Sequence, residues 1–108
     1  MLEKAKIVKA DLYISKKGFS QVETIELEIE IENQKESKVI VAKGRHLING
    51  TIYTITLKTI PEQANLQPYI SALEGKPIRV DLIDGEIVAI HNHLKKQFIF
   101  VGKGEVLY

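Results

Sequence analysis

The 108-residue chain contains no cysteine, no tryptophan and only three prolines. The absence of cysteine excludes disulfide scaffolds, thiol catalysis and every zinc site that uses sulfur ligands. No apolar run approaches the ~18 residues of a membrane-spanning helix, and the charged first residues lack the apolar segment of a signal peptide. A net charge of +1 also excludes the strongly basic composition of many nucleic-acid-binding proteins. The sequence therefore predicts a cytoplasmic protein with no membrane partner.

The chain has the length of one folded domain, and 44% of its residues are hydrophobic, which suffices to bury a core. It has no internal repeat and no linker-like tract rich in glycine, serine or proline. We therefore expect a single small domain over residues 1–108.

Alternation of apolar and polar residues predicts a mainly β protein. The clearest segment has four apolar residues alternating with four carboxylates: Ile25, Leu27, Ile29 and Ile31 with Glu26, Glu28, Glu30 and Glu32. A period of two places the two sets on opposite faces of a strand. Similar runs, separated by glycine and asparagine turns, predict strands over 4–14, 21–32, 37–48, 51–59, 78–83, 86–91, 98–101 and 106–108.

Turn and helix signals suggest how these strands are connected. Asn49-Gly50 and Asp84-Gly85 predict type I′ hairpin turns, whose two central residues need positive φ. Residues 61–74 break the β pattern and predict one helix, which begins at Pro61 and ends before Gly75. A helix in mid-chain resembles the helix between the third and fourth strands of OB-type barrels. The resemblance implies a small curled antiparallel sheet or partly open barrel, here with about seven or eight strands.

Charge is segregated along the chain despite the near-neutral total. Residues 1–21 carry five lysines and two acids, and residues 22–36 carry six glutamates and one lysine. The charged residues within 37–60 are all cations, namely Lys38, Lys43, Arg45 and Lys58. A protein with this distribution can bind an anion at one of its basic segments. The simpler interpretation is that these charges are interspersed over a solvated surface and bind nothing.

A hairpin at Asn49-Gly50 would gather several of these cations on one sheet face. Its exposed side would carry three cations and two hydroxyls without a carboxylate: Lys43, Arg45 and Lys58 with Thr54 and Thr56. This chemistry suits phosphate, but threonine and lysine are also common on any solvated sheet.

Two turns combine lysines with a phenylalanine, in the sequences Lys16-Lys17-Gly18-Phe19 and Lys95-Lys96-Gln97-Phe98. Single-strand-binding proteins stack bases on aromatic rings while cations follow the backbone. Phe19 can stack a base or plug the end of a barrel, whereas Phe98 and Phe100 are expected to point into the core. The predicted nucleic-acid-binding residues are Lys16, Lys17, Phe19, Lys43, Arg45, Lys58, Lys95 and Lys96.

Catalytic and metal-binding patterns are weak. His91 and His93 could share one strand face, but spacing places no third zinc ligand beside them. No nucleophile elbow or phosphate-binding glycine loop is present, and the glutamates of residues 26–32 would all be exposed and ionised. We therefore expect no catalytic residue, no metal and no cofactor, and hence no enzyme.

Two functions remain after these exclusions. The first is a non-catalytic small β-barrel that binds single-stranded DNA or RNA through basic turns and the Lys/Arg/Thr sheet face. The second is a protein-interaction or assembly module, for example a viral, plasmid or accessory protein, which docks by a sheet edge or by the acidic strand and could form homo-oligomers. The glutamates would then serve as a docking face, or simply protect an exposed edge from pairing.

Overall fold

The computed structural model describes residues 2–102 and 104–107, with only the backbone at Lys17. Its strands are β1 (Leu2–Lys17), β2 (Ser20–Ile31), β3 (Ser37–Lys43), β4 (Pro77–Ile83), β5 (Glu86–Asn92), β6 (Phe98–Gly102) and β7 (Glu105–Leu107). Its helices are α1 (Arg45–Thr56) and the short α2 (Gln67–Ser71). The last predicted strand extended to Tyr108, which lies outside the described residues.

The strands close into a barrel in the order β1-β2-β3-β7-β6-β5-β4. All neighbouring pairs are antiparallel except β3 and β7, which are parallel and share a single residue pair, Val41 with Glu105. The mainly β, OB-like prediction is thus confirmed, with a closed rather than partly open barrel. The main helix follows the third strand, as it does in OB-type barrels.

Strand β2 shows how the sequence pattern produces the core. Its four alternating apolar residues are at most 1% exposed, while its glutamates face outward: the buried set is Ile25, Leu27, Ile29 and Ile31. The strand is paired with β1 on one side and β3 on the other. The proposal that its glutamates protect an exposed edge is therefore wrong, because β2 is not an edge strand.

The predicted hairpin at Asn49-Gly50 is also wrong, since both residues lie inside α1. Ile48, Ile52 and Ile55 recur at helical spacing and are buried in the common core. Three threonine hydroxyls are satisfied within the helix, each donating to the carbonyl four residues earlier: Thr51, Thr54 and Thr56. The chain enters α1 through Gly44, whose φ of 90° suits glycine.

The remaining turns and helix agree better with the sequence. Asp84 and Gly85 have φ of 53° and 80°, as a type I′ hairpin requires. The predicted 61–74 helix shortens to α2 because Pro61 starts a separate turn, in which the Ala64 N–H donates to the Pro61 carbonyl. Among the described residues, neither helix has the length and apolar character needed to span a membrane.

Candidate nucleic-acid interface

The predicted Lys/Arg/Thr sheet face does not exist, because its residues belong to different elements. Lys43 ends β3 and lies 3.3 Å from the Glu105 carboxylate, with which it forms an ion pair. Arg45 begins α1, and Lys58 is exposed beyond the end of that helix. Residues 51–56 are helical, so Thr54 and Thr56 do not face a phosphate from a strand.

Arg45 is occupied by contacts within the protein. Its Nε and Nη2 atoms donate to the two carboxylate oxygens of Glu23, both at 3.0 Å. Its Nη1 atom donates to the carbonyls of Glu62 and Ala64 at 3.2 and 2.9 Å. The guanidinium therefore joins β2, α1 and the segment after it, and a phosphate would have to displace Glu23 to bind there.

The β1–β2 hairpin carries the first predicted basic turn. Gly18 has φ of 64° and precedes Phe19 in a two-residue turn closed by the pair Lys17 and Ser20. The Phe19 side chain is fully exposed, so it does not plug the barrel. Lys16 is exposed as well and lines a cleft with Lys43. The Lys17 side chain lies outside the described part of the structure.

Two exposed aromatic residues lie on β6, where the sequence predicted the opposite orientation. Phe98 and Phe100 are 53% and 56% exposed, while Ile99 and Val101 between and beyond them are buried. Both alternating sets in this strand are apolar, so the sequence could not determine which one faces inward. The two phenylalanines were expected in the core but lie on the outer surface.

Neighbouring rings extend this surface into what we call the aromatic face: His91, Phe98, Phe100 and Leu107. The His91 imidazole stacks on Phe98 with 5.3 Å between centroids and 24° between planes. Phe98 meets Phe100 edge to face at 5.2 Å, and Phe100 lies opposite Leu107 of β7. Two exposed phenyl rings, an exposed leucine and a half-buried imidazole thus form one patch across three adjacent strands.

Cations continue this patch across the barrel. Strand register places Lys4 opposite Arg79, Arg79 opposite His91, and His91 opposite Phe98. Opposite residues in antiparallel strands are about 4.5–5.5 Å apart at their Cα atoms. Two cations, an imidazole and a phenyl ring therefore follow each other in one row over β1, β4, β5 and β6.

The second predicted basic turn, with Lys95 and Lys96, lies at one end of the aromatic face. Asn92 fixes this turn: its amide is buried, its Nδ2 atom donates to the Ile55 carbonyl at 2.8 Å, and its Oδ1 atom accepts the Leu94 N–H at 2.8 Å. Lys95 and Lys96 are exposed and form no ion pair with any described residue. Of the predicted cations, these two lie nearest to Phe98 in sequence, with Gln97 between them and the phenylalanine.

The histidines do not assemble a metal site in this arrangement. His91 belongs to the aromatic face, whereas His93 follows β5 in a turn. Within residues 2–102 and 104–107, no group of three or more histidine, aspartate or glutamate side chains is arranged to hold a metal ion. Burial lowers the pKa of His91 from its ordinary value of 6.5, and the negative charge of Asp81 opposes that effect.

The opposite side of the barrel has the wrong charge for nucleic acid. OB-fold proteins commonly bind oligonucleotides on the face formed by strands 2 and 3. Here that face carries Glu26, Glu28 and Glu30, opposed across β1 by Asp11, Lys9 and Lys6 in turn. Carboxylates repel phosphate, so the phosphate backbone of a bound strand would have to lie away from this face.

Sequence reasoning thus missed Lys4, Arg79, His91, Phe98 and Phe100, which the barrel brings together from four strands. The only sequence signal for them was the basic turn ahead of Phe98, because the other partners are distant in the chain. Comparisons with protein-family models, with curated proteins and with solved structures found no match.

Proposed function

We propose that this protein is a non-catalytic binder of single-stranded nucleic acid, with bases stacking on the aromatic face. The observation that carries the proposal is the exposure of Phe98 and Phe100 beside His91, with Arg79 in the same row and Lys95-Lys96 at its end. Exposed rings bordered by cations are the chemistry by which proteins hold single strands without reading every base. The cytoplasmic location expected from the sequence would give access to such strands.

The expected energetics follow from the residues of the aromatic face and its border. Stacking of a base on an aromatic side chain contributes roughly 1–3 kcal/mol. Four cations border the rings, namely Lys4, Arg79, Lys95 and Lys96. If each neutralises one phosphate, the logarithm of the binding constant should fall with the logarithm of salt concentration with a slope of about −3.

The test is fluorescence anisotropy of a labelled oligo-dT and a labelled oligo-U of about 12 nucleotides, since single-strand sites span roughly 4–16. Phe98→Ala and Phe100→Ala should each weaken binding about tenfold, as the loss of one stacked base predicts. Tyr53→Ala is the matched control, because Tyr53 is an aromatic residue 40% exposed on α1, outside the aromatic face. It should leave the affinity unchanged.

Two results would contradict the proposal. One is the absence of salt-dependent binding by the wild-type protein near physiological ionic strength. The other is equal loss of binding in Phe98→Ala and Tyr53→Ala, which would mean that the aromatic face has no special part in it.

A protein-interaction module is the second candidate, and one observation favours it. β1 pairs with β2 up to Lys17 but with β4 only through Leu2–Lys6, so residues 8–17 lack a second strand among the described residues. Ile14 on this segment is exposed. An extended segment of a partner, or a second copy of the chain, could add a strand there. Ile14→Lys would then abolish association and leave oligonucleotide binding intact.

A further inference from the structure

A cleft of about 440 Å³ adjoins the aromatic face and contains both cations and carboxylates. Its charged lining comes from β1, β2, the turn after β2, and β4. It comprises Lys4, Lys6, Glu30, Glu32 and Arg79. Its volume falls in the ~300–1,000 Å³ range of small-molecule sites. Arg79 belongs to both the cleft and the row that leads to Phe98, so one ligand can occupy both.

Arg79 is held in place with part of its hydrogen-bonding capacity unused. Its Nε atom donates to the His93 carbonyl at 3.3 Å, which fixes the orientation of the guanidinium. Its two terminal nitrogens make no hydrogen bond to the described residues. This differs from Arg45, whose Nη1 and Nη2 atoms are both occupied. Arg79 therefore offers an oriented pair of donors to a ligand.

The carboxylates argue against a site for phosphate alone. Glu30 and Glu32 are exposed, line the same cleft as Arg79, and form no ion pair within the described part of the chain. Two anions beside the donors would weaken phosphate binding. A ligand suits this lining better if it presents acceptors to Arg79 and N–H donors to a carboxylate.

We infer that the cleft binds a guanine base of the single strand whose neighbouring bases stack on the aromatic face. Guanine presents O6 and N7 to an arginine, and its N1–H and N2 amino group can donate together to one carboxylate. Adenine places an amino group where guanine has O6 and an acceptor where guanine has N1–H, so both partners would be mismatched. This inference rests on the proposed function and adds to it a preference for one base.

The experiment compares labelled oligo-dT strands that differ at one central position. A strand with guanine should bind wild-type protein about tenfold more tightly than one with adenine, as one bidentate base contact predicts. Hypoxanthine, which lacks the N2 amino group, and 7-deazaguanine, which lacks N7, should each lose part of this preference. Arg79→Lys keeps the charge but loses the paired donors, so it should reduce the preference and retain oligo-dT binding.

A second variant separates base recognition from general electrostatics. Glu30→Gln with Glu32→Gln should tighten oligo-dT binding, because two repelling charges are removed, and should still reduce the preference for guanine. Glu36→Gln with Glu74→Gln is the control with the same charge change at exposed positions outside the cleft lining. It should keep the preference. Circular dichroism of each variant establishes that it is folded.

The outcomes distinguish the inference from the proposed function. Equal affinity of wild-type protein for guanine and adenine strands, with oligo-dT still bound, overturns the guanine site and leaves the function standing. Absence of binding to every strand overturns both. A preference that Arg79→Lys leaves undiminished also overturns the inference, since the paired donors would then have no part in it.

Discussion

Replacement of Asn92 by alanine should destabilise the protein strongly, because this side chain links the end of α1 to the basic turn. The residue is 2% exposed, and it makes two side-chain hydrogen bonds of 2.8 Å, to the Ile55 carbonyl and from the Leu94 N–H. Asn92→Ala leaves the Ile55 carbonyl unpaired in a buried site and the Leu94 N–H unpaired in a partly buried one. Each unpaired group lowers the free energy of unfolding by about 1–3 kcal/mol, so we expect a total loss of about 3 kcal/mol for Asn92→Ala.

The chain provides a matched control at Asn65. Its Oδ1 atom also accepts the N–H two residues ahead, from Gln67 at 3.0 Å, but Asn65 is exposed and water can replace the bond. Asn65→Ala should therefore cost less than about 1 kcal/mol. Thermal and urea unfolding followed by circular dichroism measure both variants, and Asn92→Ala should lower the midpoint temperature by roughly 15 °C. Equal losses at the two positions would refute the reasoning that burial decides the cost.

Three further predictions concern other parts of the fold. Arg45→Ala should lower the free energy of unfolding by about 2 kcal/mol, because Glu23 and two carbonyls lose their hydrogen-bond donor. A double-mutant cycle with Glu23→Gln should show a coupling energy above ~0.5 kcal/mol between the two side chains. Gly85→Val should cost about 1–3 kcal/mol, since Gly85 has φ of 80°, and an unchanged unfolding midpoint would contradict the turn assignment. The pKa of His91 is lowered in the folded protein, so the unfolded chain binds the imidazole proton first as the pH falls. The neutral imidazole therefore contributes stability that is complete above pH 6.5 and is lost as the pH falls through the lower folded-state pKa. The midpoint of His91→Gln should accordingly fall less than that of wild type between about pH 8 and pH 5.5.

The sequence predicted β2 well because only one of its two alternating sets is apolar. Two other segments satisfy more than one pattern. Residues 98–101 are apolar in both sets, so their inward face depends on which side chains fit inside the barrel. In residues 48–57, Ile48, Ile52 and Ile55 follow helical spacing, whereas Tyr53, Ile55 and Leu57 alternate as a strand would. Packing against the barrel decides for the helix, and no local signal does so.

The candidate site was less predictable than the fold because its members meet only after the barrel closes. Lys95 and Lys96 lie three and two residues before Phe98 in sequence and were among the predicted binding residues. Lys4 and Arg79 are neighbours only through strand register. The reverse applies to Arg45, whose partner Glu23 is 22 residues away, so its structural role had no sequence signature.

The barrel closes through a single parallel junction, between β3 and β7, which is paired through only one residue pair among the described residues. Apart from the Val41–Glu105 pair, the polar contacts across it among the described residues are the Val41 N–H bond to the Gly104 carbonyl at 2.9 Å and the exposed ion pair of Lys43 with Glu105. This junction joins residues 64 positions apart in sequence, so we expect it to form late in folding and to be the first strand pairing that opens under native conditions. Each opening would free one side of β3 while the long β1–β2 ladder stays intact, so the molecule would briefly expose a second template for strand addition besides residues 8–17 of β1.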